Sequence, residues 1–428
     1  MNNFKATTLG IQHLLAMYAG AILVPLIIGG ALGFDSAQMT YLVAIDILMC
    51  GVATLLQVWQ GKAIGIGLPV VLGCTFTALT PIISIGSTQG IGAIYGAVIA
   101  SGAIIVIISG FFGKLVKFFP PIVTGCVVTI IGISLLPSAM TNMGGGDVTA
   151  ADFGSTVNLT LAFATLLVIV LIYRFATGFM RSISILLGLV IGTVIAIVMG
   201  RVDFSPVADA SWFHMVQPFY FGKPEFHLEP IITMTLVAMV SLVESTGVYH
   251  ALSDICKKPI NSKDLARGYR AEGLASIIGG IFNAFPYTTY SQNVGLVQIT
   301  GVKERKVIFI TGGMLVLLGF LPKVAALTQI IPTPVLGAAM LAMFGTVITQ
   351  GMKMLTPEII KSTENAMIVA CAVGLGVGVS VVPSVFQFLP NTLSILFANG
   401  IVTGSVTAIL LNMLFNMTGS KKKDPMHN

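Results

Sequence analysis

Phe285-Pro286-Tyr287-Thr288-Thr289-Tyr290-Ser291-Gln292-Asn293-Val294-Gly295, continuing through Leu296-Val297-Gln298-Ile299 to Thr300-Gly301, decides how the chain is read. It lies among long apolar runs, yet it does not read as one plain spanning helix. Pro286 has no amide donor, and Tyr287 to Tyr290 are β-branched or aromatic residues that favour an extended backbone. Ser291, Gln292 and Asn293 then read as the start of a short helix, because Ser and Asn are good N-caps. At membrane depth such a break is tolerated only where it is buried in protein or lines a cavity. An extended piece, a polar corner and a half-helix suit a binding site; a wet loop between two helices is the local alternative.

The whole chain supports the membrane reading. Of its 428 residues 55% are hydrophobic and 9% are charged, with a mean hydropathy of +0.96. A soluble domain carries about 25% charged residues, so the composition defines an integral membrane protein. Runs of roughly 20 apolar residues recur, which predicts an all-α bundle rather than a β-barrel. The first run, near 9–32, is long enough to span, so no removable signal peptide is needed. Cys50, Cys74, Cys126, Cys256 and Cys371 are scattered, with neither a metal-ligand spacing nor a disulfide framework. The net charge of +6 is no nucleic-acid signal, and no cofactor motif is present.

Fourteen hydrophobic segments are predicted, near 9–32, 38–59, 64–85, 90–112, 119–137, 157–175, 182–200, 230–252, 268–285, 286–301, 306–328, 331–351, 364–382 and 391–416. With the N-terminus inside, nineteen of the 22 Lys and Arg residues fall on the cytoplasmic side, and only Arg201, Lys223 and Lys323 fall outside. This bias predicts a plasma-membrane protein with both termini cytoplasmic. Lys117 and Lys421 to Lys423 contribute to the inner set.

The two halves resemble each other. Gly110-Phe111-Phe112-Gly113-Lys114 resembles Gly319-Phe320-Leu321-Pro322-Lys323, and Pro120-Pro121-Ile122-Val123-Thr124-Gly125 resembles Pro332-Thr333-Pro334-Val335-Leu336-Gly337. Leu14-Leu15-Ala16-Met17 likewise resembles Leu236-Val237-Ala238-Met239. Lys114 and Lys323 face opposite sides in this topology, which predicts a 7+7 inverted repeat. The repeat pairs Leu68-Pro69 with Phe285-Pro286 and so predicts a second broken segment, Leu68 to Thr77. The two are expected to be non-helical up to about Gly73 and Ser291, with their extended pieces adjacent at the midplane. Such paired interruptions point to a transporter's central site, with half-helix N-termini aimed at acceptor-rich or anionic ligand edges.

Several polar residues stand out within apolar runs. Glu244 lies mid-span, where an ionisable group costs at least about 2–3 kcal/mol and is a functional candidate by default. Satisfaction by Ser245 and Thr246 is its structural alternative. Glu272 opens the next span and has Arg270 as a possible local partner. His13, preceded by Gln12, has no obvious charge partner, and Asp46 suits a helix–helix hydrogen-bond anchor. Phe76 beside Thr75 is a candidate wall for stacking on a flat ring. No HExxH, GxSxG or P-loop pattern occurs, so an enzyme is not expected. An ion channel would want a continuous polar stripe, whereas polarity here is concentrated at one depth.

Gln292-Asn293-x-Gly295-x-x-x-x-Thr300-Gly301 resembles the signature of the nucleobase–ascorbate (nucleobase–cation symport-2) transporters, and Gln12-His13 matches that family's second hallmark pair. Glu244 and Glu272 fall where members carry carboxylates in their eighth and ninth spans; the ninth-span acid is Asp in some. The resemblance covers essentially the whole chain and is greatest to bacterial xanthine permeases. Relatives specific for uracil carry Glu at the position of Gln292, which counts against uracil; urate stays open.

The resemblance implies a substrate-holding core, residues 1–112 and 230–330, and a gate, residues 113–229 and 331–428, commonly in a homodimer. It also implies cation-coupled uptake, usually with H⁺, with Na⁺ as the alternative. The substrate is expected to be an oxopurine, xanthine foremost, whose flat ring alternates N–H donors and C=O acceptors. A carboxylate accepts from ring N–H groups, while the Gln292 amide offers a donor and an acceptor. The expected substrate contacts are Glu244, Gln292, Phe76, Thr75 and Ser291, with Asn293 supporting Gln292. The expected proton-coupling residues are Glu272 and then His13.

Overall fold

The helices start and stop where local chemistry allows. Asp35 accepts from the Gln38 amide at 2.8 Å while the Gln38 side chain accepts from the Asp35 amide, a closed capping box. Asn261 and Asp264 close a second box in the same way. The computed structural model describes residues 2–115, 119–389 and 397–417. Lys117, Lys421 to Lys423 and positions 391–396 of the last predicted segment lie outside the described residues.

In chain order the first elements are α1 (Asn3–Ala31), α2 (Ser36–Val58) and β1 (Leu72–Cys74), followed by a 3-10 turn (Phe76–Ala78) and α3 (Leu79–Gln89). Then come α4 (Ile91–Leu115), α5 (Pro121–Ser134), α6 (Leu136–Gly144), α7 (Thr156–Phe175), α8 (Gly178–Ser182), α9 (Ser184–Val198) and α10 (Ser205–Asp209). The second half contains α11 (Leu228–Cys256), α12 (Ser262–Ile281), β2 (Tyr287–Thr289), α13 (Ser291–Thr300), α14 (Arg305–Gly319) and α15 (Pro322–Ala326). It closes with α16 (Thr333–Lys361), α17 (Thr363–Val381) and α18 (Gly400–Asn412). The expected all-helical membrane fold is observed, with two three-residue strands at the two predicted breaks. Among the described residues nine helices are long and apolar enough to cross a membrane.

Internal contacts divide the chain into two compact units, Met1–Gly113 with Leu135–Phe344, and Lys114–Ser134 with Gly345–Asn428. In the larger unit α2 packs on α14 through small residues. A Cβ on Gly51 would lie 2.6 Å from the Gly312 carbonyl, and the Thr311 hydroxyl donates to the Gly10 carbonyl at 3.0 Å. Apolar helices in lipid gain little from hydrophobicity against one another, so close backbone approach and hydroxyl bonds supply the association. The smaller unit uses the same device. Its core joins Ile122, Val123 and Cys126 with Leu355, Ile368 and Ala408, while Gly125 accommodates Leu355 and Ser134 bonds Ser380 at 2.8 Å.

Gly73 is the position where the absence of a side chain matters most to the site. A Cβ there would overlap the Tyr290 ring, which also lies against Gly20. Gly73→Ala should therefore destabilise the protein by about 1–3 kcal/mol through overpacking. Thermal unfolding of the purified protein in detergent checks this. Gly313→Ala, whose Cβ meets nothing within 4 Å, should leave the transition unchanged.

Candidate functional site

The site is organised by β1 and β2, which pair antiparallel with Leu72 opposite Thr289 and Cys74 opposite Tyr287. Two further bonds extend the pairing: the Thr75 amide donates to the Pro286 carbonyl at 2.9 Å and the Tyr290 amide donates to the Val71 carbonyl at 3.0 Å. Pro286 thus contributes the one backbone group it has. Each strand runs directly into a helical segment, and antiparallel pairing sets the two helical starts at opposite ends of the ribbon. The extended course persists to Thr75, beyond the expected limit at Gly73, because Thr75 caps the 3-10 turn by accepting from the Thr77 amide at 3.3 Å. At the second break the helix starts at Ser291 as expected, but Tyr290 occupies the cap position and makes no side-chain cap bond. Ser291 is the first helical residue instead of the cap, so the leading amides of α13 have no side-chain oxygen closing them off.

Behind the ribbon lies a buried polar cluster. Glu272 on α12 is only 2% exposed. One carboxylate oxygen accepts from the Tyr249 hydroxyl and, at 3.5 Å, from Gln57 Nε2; the other accepts from Ser245 Oγ at 3.1 Å. Arg270 is not its partner, since that guanidinium donates to Ser109 Oγ at 2.9 Å and to the Ala63 carbonyl. Ser245 in turn shares a hydrogen with Thr288 Oγ1 at 3.1 Å and accepts from the Thr289 amide at 3.4 Å. A carboxylate on one helix is thereby linked through one hydroxyl to β2. Gln57 completes the cluster: its amide donates to Tyr249 Oη and to the Gly268 carbonyl, and its carbonyl accepts from the Ile66 amide at 3.3 Å.

His13 and Asn293 meet although 280 positions separate them. Asn293 Nδ2 lies 3.1 Å from His13 Nδ1 and donates to the His13 carbonyl at 2.9 Å, while Asn293 Oδ1 is buried without a partner. With this amide orientation, which is assigned by its neighbours, Nδ1 accepts and the imidazole is neutral. Asn293 supports His13, and no bond from it to Gln292 is found among the described residues. Gln292 and Tyr290 line a cavity of about 30 Å³ together with Leu15, Gly20 and Met343. Glu244 is not among that cavity's lining residues. It is half-buried on α11, and no hydrogen bond to it is found among the described residues. Phe76 stands edge-on to Phe344, with ring centroids 5.6 Å apart. Thr75 is engaged by Thr77 Oγ1 at 2.5 Å and Ser241 Oγ at 3.2 Å.

Sequence reasoning missed Gln57, Tyr249, Ser241 and Thr288. Gln57 carried a usable signal, a lone amide at the end of the apolar run Ala53 to Val58. Tyr249 carried none, because a tyrosine in an apolar helix is unremarkable. Asp46 is fully buried, and its ligand oxygen and the Cys50 and Cys74 sulfurs lie within 4.8 Å of one another. The scattered cysteine positions concealed that meeting.

A crossed pair of strand–helix segments, backed by buried carboxylates within an apolar helical bundle, belongs to a membrane permease rather than an enzyme. Residues 4–385 match the model of the Xan_ur_permease "Permease family", and the chain belongs to that family. It is 61% identical to a xanthine permease of Bacillus subtilis, covering 98% of this chain and 95% of that one. It is 60% identical to the nucleobase transporter PlUacP of Paenibacillus larvae, over 100% and 98% of the two chains. The uric acid permease PucK of Bacillus subtilis is 58% identical, over 97% and 96%. Among solved structures, the transmembrane domain of the cyanobacterium bicarbonate transporter BicA superposes with a TM-score of 0.63 at 15% identity, covering 96% of this chain and 97% of that one. Its likeness is one of fold alone.

Tyr249→Phe removes the hydroxyl that joins Gln57 to Glu272. The loss should destabilise the protein by about 1–3 kcal/mol, the cost of leaving buried polar groups short of a partner. Detergent melting curves measure it, and unchanged melting would mean that the hydroxyl is not part of the cluster's support.

Proposed function

We propose that the chain imports an oxopurine nucleobase, xanthine foremost, by proton symport across the cell membrane. What carries the substrate class is the identity of 61%, 60% and 58% to proteins named for xanthine, nucleobase and uric acid transport, each matched over nearly its whole length. Urate is the second reading, favoured by the 58% and 50% identity to the two uric acid permeases. Glu244 suits the substrate role because its carboxylate is not engaged by a described hydrogen bond and is free to accept from ring N–H groups. Gln292 supplies the mixed donor and acceptor that an oxopurine edge requires. A buried site of this kind rejects a base with the wrong edge, since its polar groups are then left unpaired. In this proposal residues 1–112 and 230–330 hold the substrate and move relative to the rest.

The proton role of Glu272 is supported by its partners. While its carboxylate accepts from Ser245, the single Ser245 hydrogen is committed to Glu272. Protonation on the same oxygen would make Glu272 the donor and turn the Ser245 hydrogen towards Thr288 on β2. Proton binding and the strand that precedes Gln292 are then linked through one hydroxyl. A charged Glu272 would also be costly to carry through low dielectric, so neutralisation eases reorientation. His13 is the second candidate. Its protonation would oppose two donors at Nδ1 unless the Asn293 amide turned over and gave up its bond to the His13 carbonyl.

Two measurements test the proposal. Glu272→Gln should retain binding and exchange of labelled xanthine in proteoliposomes yet lose accumulation driven by a pH gradient. Unimpaired accumulation would move the coupling to His13 or Glu244, and accumulation that follows a sodium gradient would replace the proton. Gln292→Glu should lower the preference for xanthine over uracil by roughly tenfold or more, as expected when a buried donor is exchanged for an acceptor. Competition uptake with xanthine, urate, guanine and uracil measures it, and an unchanged ratio would remove Gln292 from the specificity role.

A further inference from the structure

We propose that a basic pocket at the start of α14 binds a phosphate-bearing anion. It lies apart from the polar cluster around Glu272, in a cavity of about 600 Å³ whose walls include Gly67, Pro69, Lys258, Lys303, Arg305 and Lys306, with Glu304 as their one carboxylate. Four cationic side chains face this one space. Three of them donate to neutral oxygens: Lys258 to the Gly67 carbonyl at 3.2 Å, Arg305 to the Val58 carbonyl at 3.4 Å and Lys306 to Asn3 Oδ1 at 2.6 Å.

Four cationic side chains against the single carboxylate of Glu304 leave the pocket wall net positive. Burial, and then the charge of Arg305, hold the Lys258 ammonium below its ordinary pKa. An anion in the pocket would relieve both. Helix α14 adds to the attraction. It is 15 residues long, starts at Arg305, and no side chain caps its first turn. Its leading amides and the positive end of its dipole face an anion that enters there.

Phosphate is the chemistry that fits. It is compact, carries one to two negative charges and presents several acceptor oxygens to Arg and Lys donors. The volume exceeds what a bare phosphate needs and leaves room for the group it is esterified to. The pocket opens on the side predicted to be cytoplasmic, where both anionic lipid headgroups and soluble phosphate esters are found. Basic pockets between membrane helices on that side commonly hold headgroups. Gly67 and Pro69 lead directly into β1, so an occupant would rest against the backbone that feeds the crossed strands.

The test uses the purified full-length protein in an uncharged detergent. Adenosine monophosphate, with adenosine as its uncharged control, is titrated calorimetrically. Phosphatidylglycerol, with phosphatidylcholine as its control, is followed by native mass spectrometry. At least one phosphate probe should bind while its control does not. Lys303→Gln with Arg305→Gln should weaken that binding by about tenfold or more, as loss of two charge-assisted contacts implies. Lys353→Gln with Lys361→Gln should leave it unchanged. If the first pair does not fold, the exposed Lys303→Gln alone should give about a threefold loss. Binding of the nucleotide alone assigns a soluble phosphate ester, and binding of the lipid alone assigns a headgroup. Equal losses in both double variants, or binding of neither probe, would overturn the proposal.

Discussion

The structure depends most on how a buried carboxylate is kept satisfied. Glu272 sits inside an apolar bundle, where an isolated charge would cost several kcal/mol even after relaxation. Tyr249, Ser245 and Gln57 offset that cost from three directions. Each belongs to an element that the group thereby ties down: Tyr249 and Ser245 to α11, Gln57 to α2. Gln57 also accepts from the Ile66 amide on the approach to β1. The same hydrogen bonds that make the acid tolerable set the spacing of the helices around the strands.

The second constraint is the backbone of the two breaks. Extended chain in an apolar interior needs partners for its N–H and C=O groups, and no water supplies them. The strands supply each other, and the Thr75 and Tyr290 amides continue the pairing to either side. Tyr290 then closes the ribbon, with its hydroxyl donating to the Cys74 carbonyl at 3.1 Å and its ring covering Gly73. Because the strands are only three residues long, little backbone has to be satisfied in this way. What emerges is a hydrogen-bonded floor from which two helical starts project at opposite ends.

A hydrogen-bonded floor set among closely packed apolar helices suits a permease. The helices that pack on one another do so through glycines, as Gly51 and Gly312 do in one unit and Gly351 against Thr129 does in the other. Such contacts are close but carry few interlocking side chains. Polar chemistry is concentrated instead at the strands, on Ser241, Ser245, Thr288 and their carboxylate neighbours. Polar contacts and helix packing are thus assigned to different residue types.

The architecture was legible in the sequence to a large extent, because it follows from properties each segment carries alone. Composition and run length marked an apolar helical membrane fold, in which nine described helices are long enough to span, Pro69 and Pro286 marked the breaks, and Gln292-Asn293 with Gln12-His13 marked the family. Glu272 and His13 were visible as polar residues in apolar runs. Their partners were not. His13 meets Asn293 across 280 positions, and Gln57 meets Glu272 across 215. Asp46, Cys50 and Cys74 come together only when β1 folds against α2. The cap of α13 passed to Tyr290 rather than Ser291 because strand pairing holds the Tyr290 amide on the Val71 carbonyl and so sets where the extended backbone ends. Hydropathy and local preference act within a segment, whereas a buried polar group is satisfied by whichever distant segment the packing brings beside it.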